Sequence, residues 1–318
     1  MDLPKLTSID VSGKKVILRL ALDTKPDPND LRVKAASATL DYLKEKSAEI
    51  IIIAHKGRPE GKVDERLSLK PFQRIFDRWG ARVEENLRFD PGEETNDPEF
   101  AKKLASLGDC FVNEAFASSH REHASIVGLP KLLPHAVGLG FEKEVENLSK
   151  VFENPEHPVV ILISGIKKDK LDMIKPLSEI ADRVLVGGRL PEFLGDAALE
   201  SVSLQNGKVI IGNLVMDKED ITLNTIDRFM KEIKQAKIVV LAGVLGKYED
   251  GGHRMGTERI FKAVADSSAY KIAGGGDTEM AISQLGIEDK FNWISVGGGS
   301  MLEFLVNKTL PGIKALTP

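Results

Sequence analysis

Two triple-glycine turns are the places in this sequence most suited to chemistry. Gly274-Gly275-Gly276-Asp277-Thr278 follows an apolar run and precedes an amphipathic one, and Gly297-Gly298-Gly299-Ser300 repeats the arrangement. Glycine lets backbone N–H groups come close to an anion, and the first turn of a helix adds favourable partial charge. The plainer reading makes both of them tight turns with Asp277 and Ser300 as N-caps. As a pair at successive strand ends they point to phosphate. Neither is a P-loop, and no Gly-x-Gly-x-x-Gly follows the first strand, which argues against a dinucleotide enzyme. Lys167, Lys168 and Lys170 crowd another predicted helix start. The plain reading is a solvated helix start, but cations there oppose the helix dipole, which favours an anion bound beside them.

The first half of the chain carries arginines at strand-to-helix junctions: Arg19, Arg32, Arg58, Arg88 and Arg121, with His55, His120 and His123 among them. Arginine forks suit bidentate recognition of phosphate and carboxylate. Any one of them alone reads as a solvated surface group; several at strand ends read as a small-anion pocket. His120 and His123 lack carboxylate or cysteine partners at ligand spacing, so a hydrogen-bonding role beside an anion fits them better than metal ligation.

These groups need a frame. Lys15–Leu20 and Glu49–Ala54 read as buried strands, with a helix between them whose apolar face is Val33, Ala36, Leu40 and Leu43. Ser68 is expected to cap a helix facing inward through Leu69, Phe72, Ile75, Phe76 and Trp79. Asp97-Pro98 opens another helix, and Asp109–Val112 returns as a strand. A connector helix at about 141–152 ends at Asn154–Pro158, after which the alternation restarts. Strands are expected at Val159–Ile163, Arg183–Val186, Lys208–Ile211, Ile238–Ala242, Tyr270–Ala273 and Trp293–Val296. Helices are expected at about 168–180, 257–267 and 278–285, with a last one from Gly299. Strand-helix alternation on both sides of a break predicts two parallel α/β domains, with ligands at the carboxyl ends of the strands.

Composition sets the outer bounds. The chain has 318 residues, 42% hydrophobic and 29% charged, with a net charge of -4. That is a globular profile with no cationic field to draw it to nucleic acid or membrane. Cys110 is the single cysteine, so no intrachain disulfide forms, which fits a reducing compartment. Cys110 reads as a small apolar strand residue, not a nucleophile. The start Met-Asp-Leu-Pro-Lys has no apolar leader, so the expected location is cytoplasmic. A monomer is expected, since nothing reads as a coiled coil.

Taken in order, these segments resemble the phosphoglycerate kinase family. The resemblance covers most of the chain. It is carried by HKGRPEG at 55–61, by ENLRFDPGEE, VNEAFASSHREHAS and FEKEVENLSK within 85–150, and by GGGDT, GGGS, LEFL and KTLPGI near the end. It implies two doubly wound domains facing across a cleft: 1–150 for the substrate, 151–304 for the nucleotide, and a segment 305–318 returning to the first domain. It implies reversible phosphoryl transfer between 1,3-bisphosphoglycerate and ADP, giving 3-phosphoglycerate and ATP, with Mg²⁺. Arg32 then resembles the catalytic arginine. His55, Arg58, Arg88 and Arg121, with Asp23 in the preceding loop, resemble the substrate pocket. Lys167 and Lys170 resemble the nucleotide-phosphate lysines, with Lys170 also catalytic. Glu249 resembles the ribose ligand. Gly275, Gly276 and Thr278 resemble the phosphate loop, Asp277 its Mg²⁺-linked aspartate, and Gly298 and Gly299 the helix tip at the transfer site.

The chain departs from the family at several of these places. Where the family reads Arg-x-Asp-x-Asn-x-Pro, this sequence has Ala21 and Asp23, replacing a carboxylate and an amide. Lys56 stands in the histidine-arginine loop, and Ala242 replaces an asparagine near the phosphates. The loop Gly165–Lys170 reads one residue short, and Gly188–Asp220 spans far fewer residues than usual. Two other readings stay open: a binding protein that has lost catalysis, and a kinase for a related carboxylate.

Overall fold

The computed structural model describes residues 1–166, 168–194 and 207–317. It divides into a first unit, Met1–Glu146 with the tail from Thr309, and a second unit, Asn147–Lys308. The first unit holds five parallel strands: β1 Lys15–Arg19, β2 Glu49–Ile53, β3 Arg82–Val83, β4 Cys110–Asn113 and β5 His135–Val137, in the order β3-β2-β1-β4-β5. β1 runs beside both β2 and β4, so chain order reverses at the β1/β4 junction. That reversal opens the crevice where open α/β sheets bind ligands. The helix Leu31–Glu45 buries Val33, Ala36, Leu40 and Leu43 against Val16, Leu18, Ile50 and Ile52 of the sheet. Cys110 is buried in the same core, and burial pushes its thiol pKa up, as suits a packing residue.

Among the described residues, the second unit holds six parallel strands: β6 Val159–Ile163, β7 Arg183–Val186, β8 Val209–Ile211, β9 Ile238–Ala242, β10 Tyr270–Gly274 and β11 Trp293–Ser295. Their order is β11-β10-β9-β6-β7-β8, which puts the reversal between β6 and β9. β6, β7 and β9 are apolar almost throughout, as strands covered on both faces must be. β8 keeps the far edge of the sheet despite the shortened stretch before it.

Two local expectations change. Ser68 does not cap one long helix. Residues Glu65–Trp79 form short 3-10 and α segments instead; Ser68 Oγ accepts Lys70 N–H at 3.2 Å and donates to the Glu85 carboxylate, which also accepts Leu69 N–H at 2.9 Å. The helix Leu223–Gln235 forms where no helix is expected above. Thr222 caps it, accepting Thr225 N–H at 3.3 Å, and Ile226, Phe229 and Ile233 form its buried face. The connector helix runs Leu139–Ser149, slightly earlier than expected. Among the described residues, no helix is long and apolar enough to cross a membrane.

Candidate functional site

In the first unit, the cationic side chains gather at the carboxyl ends of β1, β2 and β4. Arg19, the last residue of β1, is fully buried. Its Nε donates to Ser125 Oγ at 2.9 Å, and its Nη2 lies 2.7 Å from His55 Nδ1. A guanidinium only donates, so His55 Nδ1 accepts and the neutral ring carries its proton on Nε2. Burial, then the neighbouring charges of Arg19 and Arg88, hold the His55 pKa well below its usual value. His55 is therefore a neutral donor at physiological pH.

Behind this pair lies Glu93, also buried, 3.8 Å from Arg19 and accepting Ser125 Oγ–H at 2.6 Å. Burial works against the Glu93 charge, but the His123 ring, Arg19 and the Ser125 donors outweigh it and hold the carboxyl below its usual range. Burial lowers the Arg19 pKa to about 10, still well above neutrality. Sequence reasoning had not assigned Glu93 or Ser125 a role. Their signal was there only in hindsight: a buried arginine needs a carboxylate, and EEN or GEE segments offer several.

The loop after β2 is locked from two sides. Asn86 accepts Lys56 N–H at 3.2 Å and returns its amide to Lys56 O at 2.7 Å. Gly57 donates its N–H to Asp23 Oδ1 at 2.8 Å and its carbonyl accepts Arg88 Nη1 at 2.5 Å. Gly57 has φ +64, and a Cβ there would meet Leu67 Cδ2 at 2.7 Å, so a side chain would strain the backbone and displace the end of Leu67. Asp23 thus spends one oxygen on the loop that carries His55 and Arg58, and its charge lies near Arg88. Ala21 packs with Ala115, Ile126 and Val127, so the lost carboxylate has become apolar packing.

Arg88 is 2% exposed, with Nε 3.1 Å from the Glu94 carboxylate and Nη2 without a hydrogen-bond partner among the described residues. Such a group normally carries a cost of several kcal/mol; an anion would remove it. Arg121 is half-buried and adds its positive field to Arg88 and His55, while Arg58 is exposed and forms no ion pair with a described residue. Arg32 is half-buried at the start of the helix Leu31–Glu45, its guanidinium on the carbonyl of Asp23. His120 and His123 lie in the same cluster; burial, with Arg121, pushes His120 down to about 4.

In the second unit, Lys170 sits at the topological reversal. Its Nζ donates to Ser164 O, just beyond β6, at 2.5 Å and to Ala242 O, the end of β9, at 3.2 Å. Lys167 lies outside the described residues. The two glycine turns lead into the helices Gly276–Leu285 and Gly298–Asn307. Neither helix has a side-chain cap: Gly275 and Gly297 hold the cap positions, and Asp277 and Ser300 lie inside the first turn. The plain N-cap reading of Asp277 and Ser300 therefore does not hold, and the first N–H groups of both helices are left for another acceptor.

The turns are packed on each other. A Cβ on Gly298 would lie 2.6 Å from Gly275 Cα, and Gly275 itself has φ +107, open only to glycine. Thr278 Oγ1 accepts Gly243 N–H at 2.9 Å, tying the β9 turn to the first glycine turn. Gly165, Lys170, Gly275, Gly276, Asp277 and Gly299 line one cavity of about 320 Å³. A neighbouring cavity of about 400 Å³ shares Lys170 and Asp277 and adds Glu249, Lys247, Leu245 and Glu219. A space of about 490 Å³ bounded by Lys150, Lys237 and Tyr270 opens at the amino ends of the strands, away from these groups. Among the described residues no three His, Cys, Asp or Glu side chains converge as a metal cage. Asp277 offers one carboxylate beside the glycine turn, which fits Mg²⁺, an ion commonly held by one or two carboxylates with phosphates and water.

The phosphoglycerate kinase family model matches residues 6–84, 80–206 and 196–308. The chain is similar to the phosphoglycerate kinases of Dictyoglomus turgidum, 35% identical over 96% of each chain, and of Solibacter usitatus, 34% identical over 99% of this chain and 100% of the other. The solved phosphoglycerate kinase structure from Coxiella burnetii superposes with a TM-score of 0.85 at 30% identity over 99% of both chains. That from Pyrococcus horikoshii gives 0.82 at 26% identity, over 99% of this chain and 98% of that one. The chain belongs to the phosphoglycerate kinase family.

Proposed function

We propose that this member of the phosphoglycerate kinase family catalyses reversible phosphoryl transfer between 1,3-bisphosphoglycerate and ADP, as an ATP:3-phosphoglycerate phosphotransferase of glycolysis. The observation that carries the reading is the pair of uncapped helix starts, packed through Gly275 and Gly298 beside Lys170 at a strand reversal. That is a backbone phosphate cradle. In this reading Lys170, Gly275, Gly276, Asp277 and Thr278 hold the nucleotide phosphates and Glu249 holds the ribose. Bound Mg²⁺, held by Asp277, would offset charge on the phosphates.

The anionic end of 3-phosphoglycerate goes to the first unit. Arg88 Nη2, Arg121, Arg58 and the His55 Nε2–H supply donors, and Asp23 holds their loop. Transfer of a phosphoryl group needs no protein nucleophile; it needs alignment and charge neutralisation. Arg32 and the N–H groups at Gly298 and Gly299 are assigned to the moving phosphoryl. Ala21 favours a second substrate reading, since an apolar patch replaces a group that would accept substrate hydroxyls. A carboxylate without the 2-hydroxyl would then serve equally well.

The test is turnover with ATP, Mg²⁺ and 3-phosphoglycerate, coupled to reduction of the product. Arg32→Ala should lower kcat roughly 100-fold or more while KM for 3-phosphoglycerate changes little, because the lost interaction is one made in the transition state. An unchanged kcat removes Arg32 from that role. ATP binding without turnover would favour another acceptor.

A further inference from the structure

Besides Lys170 and Asp277, the 400 Å³ cavity takes two of its walls from different parts of the chain. One is the segment 243–254, which joins β9 to the helix Met255–Asp266 and contributes Gly246, Lys247 and Glu249. The other is the turn closed by the antiparallel bridge Leu214↔Ile221, which contributes Glu219. Lys247 N–H donates to Glu219 O at 2.9 Å, one backbone tie between the walls. A side chain adds a further tie: His253 places Nε2 2.9 Å from Asp217 Oδ2 and Nδ1 3.1 Å from Asp250 Oδ2. Asp217 belongs to the turn and Asp250 follows Glu249.

Both ring nitrogens of His253 face carboxylate oxygens, and only the imidazolium donates from both at once. In the neutral ring one nitrogen is a lone pair pointing at a carboxylate. The segment has little freedom to adapt elsewhere. Gly246 is in contact with His253 O and Asp220, since a Cβ there would lie 2.2 and 2.6 Å from them, and buried Asp220 holds Gly256 N–H at 2.9 Å. His253 lies outside every motif that carried the family resemblance.

We propose that His253 is a positioning residue for the nucleotide: its imidazolium bridges Asp217 and Asp250, holds the Glu249 segment against the 214–221 turn, and weakens nucleotide binding when it loses its proton. This rests on reading the cavity as the nucleotide's. Hydrogen bonds from the ring to Asp217 and then Asp250 raise the His253 pKa above its usual value. The charged groups facing it are Asp217 from the turn, Asp220 beneath and Asp250 from its own segment, with Lys247 acting on Asp250. The bridge is therefore complete at acidic and neutral pH and is lost as pH rises through the raised pKa.

The experiment measures ADP binding by calorimetry, with KM for ATP and for 3-phosphoglycerate, at about pH 6 and about pH 8.5. It compares the parent, His253→Gln and His253→Lys. Partly exposed ion pairs are modest, so the expected change is roughly two- to fivefold. His253→Gln should bind ADP that much more weakly than the parent at the lower pH and match it at the higher. His253→Lys, which keeps a cation throughout, should hold tighter binding at the higher pH. KM for 3-phosphoglycerate and kcat should not move. Asp217→Asn gives the same readout should His253→Gln not fold. Parent-like ADP binding by His253→Gln at both pH values, or a parallel shift in KM for 3-phosphoglycerate, would overturn the positioning role alone. A parent that turns over yet binds ADP undisturbed by Glu249→Ala would overturn the placement of the nucleotide instead.

Discussion

In the first unit the groups available to an anion are side chains: Arg88 Nη2 and His55 Nε2–H, held by Glu93, Ser125, Asn86 and Glu94. In the second they are mostly main-chain N–H groups at the starts of Gly276–Leu285 and Gly298–Asn307, with Lys170 clamped between two carbonyls. The contrast is one of cost and tolerance. Buried arginines demand buried carboxylates and a fixed tautomer, so a whole network must be kept. A glycine cradle demands only that nothing be added to it. The departures from the family follow the same division. The first unit absorbs Ala21 by apolar packing and Asp23 by a bond to Gly57, whereas Gly298 has no room for even a methyl group and Gly275 holds a φ of +107 that only glycine adopts readily.

The largest effect should come from breaking the cradle. Gly298→Ala puts a Cβ 2.6 Å from the Gly275 backbone, which must shift. A misplacement of ~1 Å can cost ~100-fold in rate, so kcat should fall by about that factor or more while 3-phosphoglycerate KM stays near the parent value. Steady-state kinetics with each substrate varied checks it; parent-like kcat would mean the two turns can slide apart freely.

Next comes Arg88→Lys, which keeps the charge and loses the fork that serves Gly57 O and the free Nη2 together. KM for 3-phosphoglycerate should rise ~10- to 100-fold, with ATP binding unchanged. The half-buried Arg121 is the graded comparison: Arg121→Ala should raise the same KM about tenfold and leave thermal stability alone. Equal effects from the two substitutions would show that burial of Arg88 adds nothing to recognition.

The smallest effect on turnover belongs to Glu114→Gln. This buried carboxyl accepts from Thr39 and from Gly140 N–H at 3.3 Å at the start of the connector helix, and burial pushes its pKa up to about 7. The unfolded chain ionises this group at a lower pH than the native one. Its favourable contribution is therefore present at low pH and lost as pH rises from ~4.5 through about 7. Glu114→Gln removes the ionisation, so its stability relative to the parent should climb over that window, by at most about 3 kcal/mol. Denaturant melts at several pH values read the difference directly, and parallel curves would place Glu114 among ordinary carboxylates.

Much of this was legible in the residues. The strands showed as apolar runs because both faces of a parallel sheet are covered. Asp97 showed as an N-cap, and it accepts Phe100 N–H at 2.8 Å. The helix Leu223–Gln235 was equally legible, with Ile226, Phe229 and Ile233 at helical spacing behind Thr222, but it stood beside the irregular stretch and was passed over. At Ser68, local spacing could not show that Glu85, 17 residues away, ties down Ser68 and Leu69, or that the run beyond them divides into short 3-10 and α segments.

The sequence alone determined most strands and helices, the stretch after Ser68 excepted, and where glycine must stand, since periodicity, capping and φ are settled within a few residues. Tertiary structure decided which arginine is buried and which is free, which nitrogen of His55 holds the proton, and how Asp23 is neutralised. Those outcomes depend on partners tens of residues apart, such as Arg19 with Ser125 and His253 with Asp217. Burial and charge act through space, and no local pattern in the chain records them.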